Sequence, residues 1–472
     1  MANKKKEIVL SLCSCDKTIS LNFRSISKSM MDQGVTRVIK SDRLCDRDGI
    51  SDIHYHLKKN PDHLIIAGCS NKNLFYEILR YSHFPEENVS LVDIAVLSDW
   101  VHKDKDEATE KAKRLIFQEI MNVENKKDFE PDEDMKEVVV SLGMGPLDDL
   151  VIFGRVESCP SYRFGACSIC ADNCPKGAIS GMLSINSDLC NGCGICISVC
   201  PLGILSSKNQ EKLESKMKSM LKGFVEKKLI SPKHMMKTPV MLFVCDNLSK
   251  MTLYGVGSKK LSYPADILPI PISCLSHVNL DDILMSFVLG SQGIILFACD
   301  SCKKDSKKYI EDLERTFSSL FQKTSLEGRL SVFRSNGRDP DQFHEYLVNF
   351  FEKIKSMDRL DIPNIDEFSG NKREDLILML KTMLDDVSSD IKVDGGLLPF
   401  GSIQINEGTC DLCGECTRAC LTNALVIKDE KLVFDHKLCI GCGACVKNCP
   451  SSSIELEKVI KVSKLFITDI VK

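Results

Sequence analysis

The chain has 472 residues, of which 43% are hydrophobic and 27% charged, and its formal net charge is −4. That composition is ordinary for a globular protein of about three or four domains, and dispersed charge of this size gives no global attraction to nucleic acid or an anionic membrane. No apolar run approaches the ~18 residues that span a bilayer, and Met1 to Val9 lacks the apolar stretch of a signal peptide, so the expected location is cytoplasmic.

Against that background the 24 cysteines stand out. In a long chain without an export signal they read as metal ligands rather than as a disulfide framework. Thiolates suit iron–sulfur clusters and zinc above other metals. The cysteines fall into four groups separated by cysteine-free stretches, and each group divides by four, the ligand count of one cluster.

In chain order, residues 7–12 and 63–68 read as short buried strands, each running into a cysteine, and 107–120 reads as a helix. The first group is Cys13, Cys15, Cys45 and Cys69. Strand ends of one parallel sheet lie side by side, so these segments can converge, although spacing alone favours buried or unpaired thiols. The stretches Leu12-Cys-Ser-Cys15, Ile65-Ile-Ala-Gly-Cys-Ser70 and Asp93 to Ile116, with Trp100-Val101-His102 and Glu107 to Lys113, resemble the N-terminal domain of the flavin-carrying heterodisulfide reductase subunit. The resemblance covers about residues 5–120 and implies a four-iron cluster on Cys13, Cys15, Cys45 and Cys69. That family continues into its flavin domain. Here Gly143-Met-Gly145 is followed by Asp148 where the third glycine of G-x-G-x-x-G belongs, and Gly255-Val-Gly257 is no match either, so no flavin is expected. His102 reads as a surface histidine, with a hydrogen bond near a cluster as its alternative role. The N-terminal domain is set at 1–123 and a charged linker at 124–149.

The second group begins a module at 150–207. Cys190-x2-Cys193-x2-Cys196-x3-Cys200-Pro201 is a complete run of the bacterial two-cluster ferredoxin type, in which the fourth cysteine ligates the other cluster. The preceding run is stretched: Cys159-x7-Cys167-x2-Cys170-x3-Cys174-Pro175. The expected sets are therefore Cys159, Cys167, Cys170 and Cys200, and Cys190, Cys193, Cys196 and Cys174. A Cys159 held too far away would leave a three-iron site. A connector at 208–237 follows, with nine lysines, three glutamates and helical apolar spacing, read mainly as a solvated helix face.

Residues 238–356 alternate strands at 240–245, 267–273, 293–298 and 329–334 with helices, and Leu280, Ile283, Leu284, Phe287 and Val288 share one helical face. The alternation predicts a small α/β domain with a parallel sheet. Val240-Met-Leu-Phe-Val-Cys245 and Ile270 to Cys302 resemble the delta subunit of methyl-viologen-reducing hydrogenase. The resemblance implies a 2Fe-2S cluster on Cys245, Cys274, Cys299 and Cys302; zinc or no metal remain open, because Asp246-Asn247-Leu248 lacks the family's second cysteine. A connector at 357–397 with a helix at 373–387 leads to the last module, 398–458, and a tail at 459–472.

That module repeats the ferredoxin spacing without insertion, through Cys410, Cys413, Cys416, Cys420 and Cys439, Cys442, Cys445, Cys449-Pro450. Crossed ligation assigns Cys410, Cys413, Cys416 and Cys449 to one cluster and Cys439, Cys442, Cys445 and Cys420 to the other. Leu421 stands where proline usually follows the fourth cysteine. The fold class expected overall is α/β plus α+β: α/β N-terminal and middle domains with two ferredoxin-like two-cluster 4Fe-4S modules. The expected function is single-electron relay without a substrate site of its own. The resemblances imply partner subunits of the hydrogenase, formate dehydrogenase or heterodisulfide reductase kind in an anaerobe. The alternatives are a catalytic subunit that reduces disulfides at the N-terminal cluster, and a redox sensor.

Overall fold

The computed structural model describes residues 6–69, 75, 79, 82–125, 135–141, 150–207, 213–223, 236–245, 248–299, 306–335, 339–363, 365, 368–384, 392–394, 397–457 and 459–472. The sequence-predicted ligand Cys302 lies outside them, as does much of the lysine-rich connector.

Two parallel sheets form the frame. The first contains β1 (Ile8–Cys13), β2 (Val35–Ser41), β3 (His63–Gly68) and β4 (Val89–Asp93) in the order β2-β1-β3-β4. Every residue of β1 and β3 is buried, as expected when helices cover both faces of a parallel sheet. The helix Lys105–Asn125 follows the sheet. The chain then forms β5 (Lys136–Ser141) and β6 (Leu150–Gly154), which pair antiparallel, and β6 also pairs with the later β9 (Leu205–Ser207). Between them lies the hairpin of β7 (Ile179–Ser180) and β8 (Ser184–Ile185). The span read as a linker thus contains a strand joined to the first cysteine-rich module.

The second parallel sheet has β10 (Val240–Cys245), β11 (Ile267–Ile272), β12 (Gly293–Cys299) and β13 (Leu330–Ser335) in the order β11-β10-β12-β13. The helix Leu280–Val288 opens on a capping box between Asn279 and Asp282 and buries Leu280, Ile283, Leu284, Phe287 and Val288. The connector helix runs Lys372–Leu384. β14 (Lys392–Asp394) follows, then β15 (Ser402–Ile405), β16 (Leu425–Lys428), β17 (Lys431–Asp435), β18 (Ile454–Glu457), β19 (Val459–Lys461) and β20 (Thr468–Ile470). β19 pairs with β14 and β20 with β17, so the residues read as a tail are built into sheets. Strands of three residues leave too short a pattern to recognise in sequence.

One apolar core runs through both parallel sheets and the helices Leu213–Lys218 and Lys372–Leu384, and reaches Cys193, Ile195 and Phe400 in the cysteine-rich modules. The helix Leu213–Lys218 buries Leu213 and Met217, so this described part of the lysine-rich connector is a packed element.

His102 corrects the sequence expectation. It is buried, only 4% exposed, and its Nε2 lies 3.1 Å from Lys111 Nζ. Burial chiefly, and then the Lys111 charge, holds the imidazole down to about 2, so the neutral ring accepts from the amine. Lys111, itself buried, lies 4.5 Å above the Tyr263 ring and ties the first sheet's helix to the middle domain. Burial pushes the amine down to about 7 against the opposing Asp266 charge. The unfolded chain keeps that proton to about pH 10.5, the folded chain only to about 7. Unfolding between those values therefore takes up a proton, and this group's contribution to stability is complete above about pH 10.5 and lost as pH falls to 7. Stability is expected to rise from pH 7 to pH 9, by on the order of 1 kcal/mol per pH unit, and Lys111→Met should flatten that slope. Thermal unfolding at the two pH values checks the sign.

Candidate metal centres

In the last module the second and third cysteines of each run flank a glycine held in the left-handed region, Gly414 at φ 79° and Gly443 at φ 72°. Each glycine caps a short helix, Glu415–Ala419 or Ala444–Lys447, that carries the third cysteine. A side chain is strained at such a φ, and the reversal there lets three thiols face one point. Cys410, Cys413, Cys416 and Cys449 line one cavity with Leu412, Ile427, Leu432 and Ile454, within an empty volume of about 320 Å³ that includes open solvent. Cys439, Cys442, Cys445 and Cys420 are mutual electrostatic neighbours. Burial, with neighbouring thiolate charge adding, pushes Cys439 and Cys445 each up to about 12.

The first module gathers its cysteines in the same crossed way. Cys159, Cys167, Cys170 and Cys200 ring a cavity with an empty volume of about 400 Å³, part of it open to solvent, so the stretched run still brings Cys159 to the other three. Cys174, Cys190, Cys193 and Cys196 ring another. Burial chiefly pushes Cys167 up to about 12 and Cys170 up to about 11, and raises the enclosed Cys196 well above the usual thiol range. Backbone N–H groups point at sulfur from four residues on: Ala178 to Cys174 at 3.3 Å, Ile204 to Cys200 at 3.4 Å and Ser453 to Cys449 at 3.3 Å. Each of those cysteines precedes a proline. Cys420, which precedes Leu421, has its sulfur 3.6 Å from Thr422 Oγ1.

These sites fit iron–sulfur clusters. Buried thiols with raised pKa values give up their protons to a cationic centre placed among them. Among the described residues no three cysteine, histidine or carboxylate side chains close on a single ion-sized point. The thiols instead stand around apolar cavities, with amide donors aimed at sulfur, which suits a cube of iron and sulfide.

The insertion in the stretched run has a structural task. Pro160–Phe164 forms a short helix that ends on Gly165, and Lys447 Nζ of the last module donates to Gly165 O at 3.0 Å. Ile440, which stands between the ligands Cys439 and Cys442, lines the Cys159 cavity. The two modules thus meet cysteine set to cysteine set.

In the middle domain Cys245 and Cys299 end adjacent strands, with their sulfurs 3.6 Å apart, and Ser249 Oγ lies 2.9 Å from Cys245 Sγ. Cys274 follows the other neighbouring strand, β11, and is buried. The buried Ser276 hydroxyl lies 2.9 Å from Cys274 Sγ and 2.6 Å from Cys193 O, so it bridges this group and the first module. The His277 ring sits where a side chain at Gly194 would go, with Nε2 at 2.8 Å from the position of a Cβ.

In the N-terminal domain Cys13 ends β1, and its sulfur accepts from Cys15 N and Leu44 N, each at 3.4 Å. Cys15, Asp16 and Lys17 all have positive φ. The contacts of Cys15 N and Leu44 N with Cys13 Sγ bring Cys15 and Cys45 beside Cys13, and Cys69 directly follows Gly68, whose Cβ position is 2.8 Å from Cys13 Cβ. The four cysteines are thus brought to one end of the sheet. Sequence reasoning missed Lys372, Arg373, Lys447 and Ser276. The one local signal was a Lys-Arg pair at a helix start, where the helix dipole favours anions.

Comparison with known proteins agrees with this geometry. Residues 240–358 match the family described as methyl-viologen-reducing hydrogenase, delta subunit. Residues 409–453 match the 4Fe-4S dicluster domain and 183–206 the 4Fe-4S binding domain. Indolepyruvate oxidoreductase subunit IorA of Archaeoglobus fulgidus is 41% identical over 49 residues, 10% of this chain and 8% of that protein. Polyferredoxin protein MvhB of Methanothermus fervidus is 35% identical over 85 residues, 15% of this chain and 21% of that protein. The matches span only those small shares of the relatives' lengths. A solved cobalamin-dependent S-adenosylmethionine radical enzyme aligns with 80% of this chain and 61% of its own at 11% identity and a TM-score of 0.17, too slight a likeness to carry an argument. The chain therefore contains a hydrogenase delta-subunit domain and two 4Fe-4S ferredoxin domains, and iron–sulfur electron transfer is the function they support. Among the described residues no helix is long and apolar enough to cross a membrane.

Proposed function

We propose that the chain is a multi-cluster electron relay, cytoplasmic and without a flavin, between a hydrogenase- or formate-dehydrogenase-type donor and a heterodisulfide-reductase-like acceptor. Loaded with iron and sulfide, each ferredoxin cysteine set supplies a centre that takes up and gives back one electron. Each passage oxidises the donor and reduces the acceptor by one electron and makes or breaks no bond. Four-iron sites are assigned to the four ferredoxin sets and to Cys13, Cys15, Cys45 and Cys69. A two-iron site is assigned to Cys245, Cys274, Cys299 and Cys302.

The observation that carries this reading is the contiguity of the sets. Ser276 joins Cys274 to Cys193. Inside the first module the helices Ile169–Asp172 and Ile195–Val199, which carry Cys170 and Cys196, pack together. Across the module junction Lys447 donates to Gly165 O, two residues before Cys167, and Ile440 lines the cavity of Cys159, Cys167, Cys170 and Cys200. The helices Glu415–Ala419 and Ala444–Lys447 pack together inside the last module. The order is thus middle domain, first module, last module, and it ends at the exposed Cys413.

The test is turnover by the purified, anaerobic chain with reduced methyl viologen as donor. Reduction of cytochrome c without consumption of an added disulfide is the expected result. Steady disulfide reduction by the isolated chain would instead identify a catalytic protein.

A further inference from the structure

We propose that Lys372 and Arg373 form a cationic clamp that holds the two ferredoxin modules face to face and raises the reduction potentials of the cysteine sets beside it. The inference rests on the relay reading and adds positioning residues to it. The two side chains open the helix Lys372–Leu384 and diverge. Lys372 Nζ donates to Ser198 O at 2.8 Å, between Cys196 and Cys200, and its stem packs on Gly203. Arg373 donates to Lys437 O at 2.6 Å, to Cys439 O at 3.0 Å and to Pro399 O, while its guanidinium lies 4.0 Å over the Phe400 ring. Neighbours on one helix turn are thus fastened to opposite modules at the segments that carry their cysteines.

Helix stability does not explain the pair. The helix dipole favours anions at this end, which Glu374 and Asp375 supply, and the two cations before them oppose it. Nor is Arg373 paired like a surface residue, since it is only 6% exposed and its two terminal nitrogens donate to carbonyls rather than to a carboxylate. Asp281 lies 3.7 Å from Lys372 Nζ and offsets part of that charge. A cation held in a poorly solvated junction favours the more negative of two charge states nearby. For a cluster that is the reduced state, so its potential rises; net charge and hydrogen bonding are among the levers that set cluster potentials.

The test is an EPR-monitored redox titration of the full-length chain purified without oxygen. Arg373→Gln is expected to make one ferredoxin cluster about tenfold harder to reduce at fixed potential, about 59 mV for one electron. Arg373→Lys should recover most of that shift, because it keeps the charge while losing the fork of donors. Lys372→Gln should move a different cluster in the same direction. Unchanged potentials in a fully iron-loaded Arg373→Gln, or equal shifts in the Gln and Lys variants, would overturn the clamp. If Arg373→Gln fails to hold iron, the partly exposed Lys372 decides, and an unmoved potential in Lys372→Gln overturns the proposal. A wild-type chain without cluster signals would sink the relay itself, a result distinct from either.

Discussion

Removing iron by anaerobic oxidation and chelation is expected to unfold the two ferredoxin modules while both parallel sheets stay folded. The apolar cores differ greatly in size. The first module's own cluster consists of Val156, Ile179, Leu183, Ile197, Ile204 and Leu205 with its cysteines, and the last module's is of similar extent. Cores that small rarely support a fold alone, and a structural metal commonly contributes on the order of 10 kcal/mol to such domains. Without metal the thiols also leave cavities between their loops. The parallel sheets bury β1, β3, β10 and β12 almost completely and owe nothing to cysteine for that. Hydrogen exchange after chelation should show amide protection lost in 150–207 and 398–457 and kept in those four strands. Full protection throughout would mean that the metal centres are not structural.

Gly401→Ala is expected to cost the last module the site on Cys439, Cys442, Cys445 and Cys420, about four irons. A methyl group at Gly401 would stand 2.6 Å from Gly441 Cα, 2.9 Å from Gly441 N and 3.1 Å from Cys439 Sγ. The two nearest atoms are backbone, so the ligand loop itself has to move. Overpacking of this kind costs about 1–3 kcal/mol, and here the strain falls on a thiol needed in place. Gly181→Ala is the matched control, since its added methyl meets nothing within 4 Å. Iron analysis of both variants separates the outcomes; equal iron content would show that the Cys439 loop yields.

The sequence carried the parallel sheets because a strand covered on both faces is written as an unbroken apolar run, as in Ile8–Cys13 and Val240–Cys245. It carried the ferredoxin modules because short spacings fix which thiols can share a centre. The module junction was not legible: Arg373 reaches Cys439 and Lys447 reaches Gly165 across 66 and 282 residues, and contacts at that separation leave no local pattern. His102 sits among Lys103, Asp104 and Lys105, which reads as surface, yet it turns inward onto Lys111. The x7 spacing after Cys159 shows in sequence only as a stretched run, and it forms the helix and turn that Lys447 of the last module reaches.

The central claim is that these thiols hold iron and sulfide. Quantifying iron, acid-labile sulfide and zinc in anaerobically purified chain, alongside EPR of the reduced protein, tests it most directly. About 22 irons with matching sulfide are expected if all six centres fill, and about 16 if only the ferredoxin sets do. A folded chain carrying stoichiometric zinc, or iron without sulfide, would contradict the account.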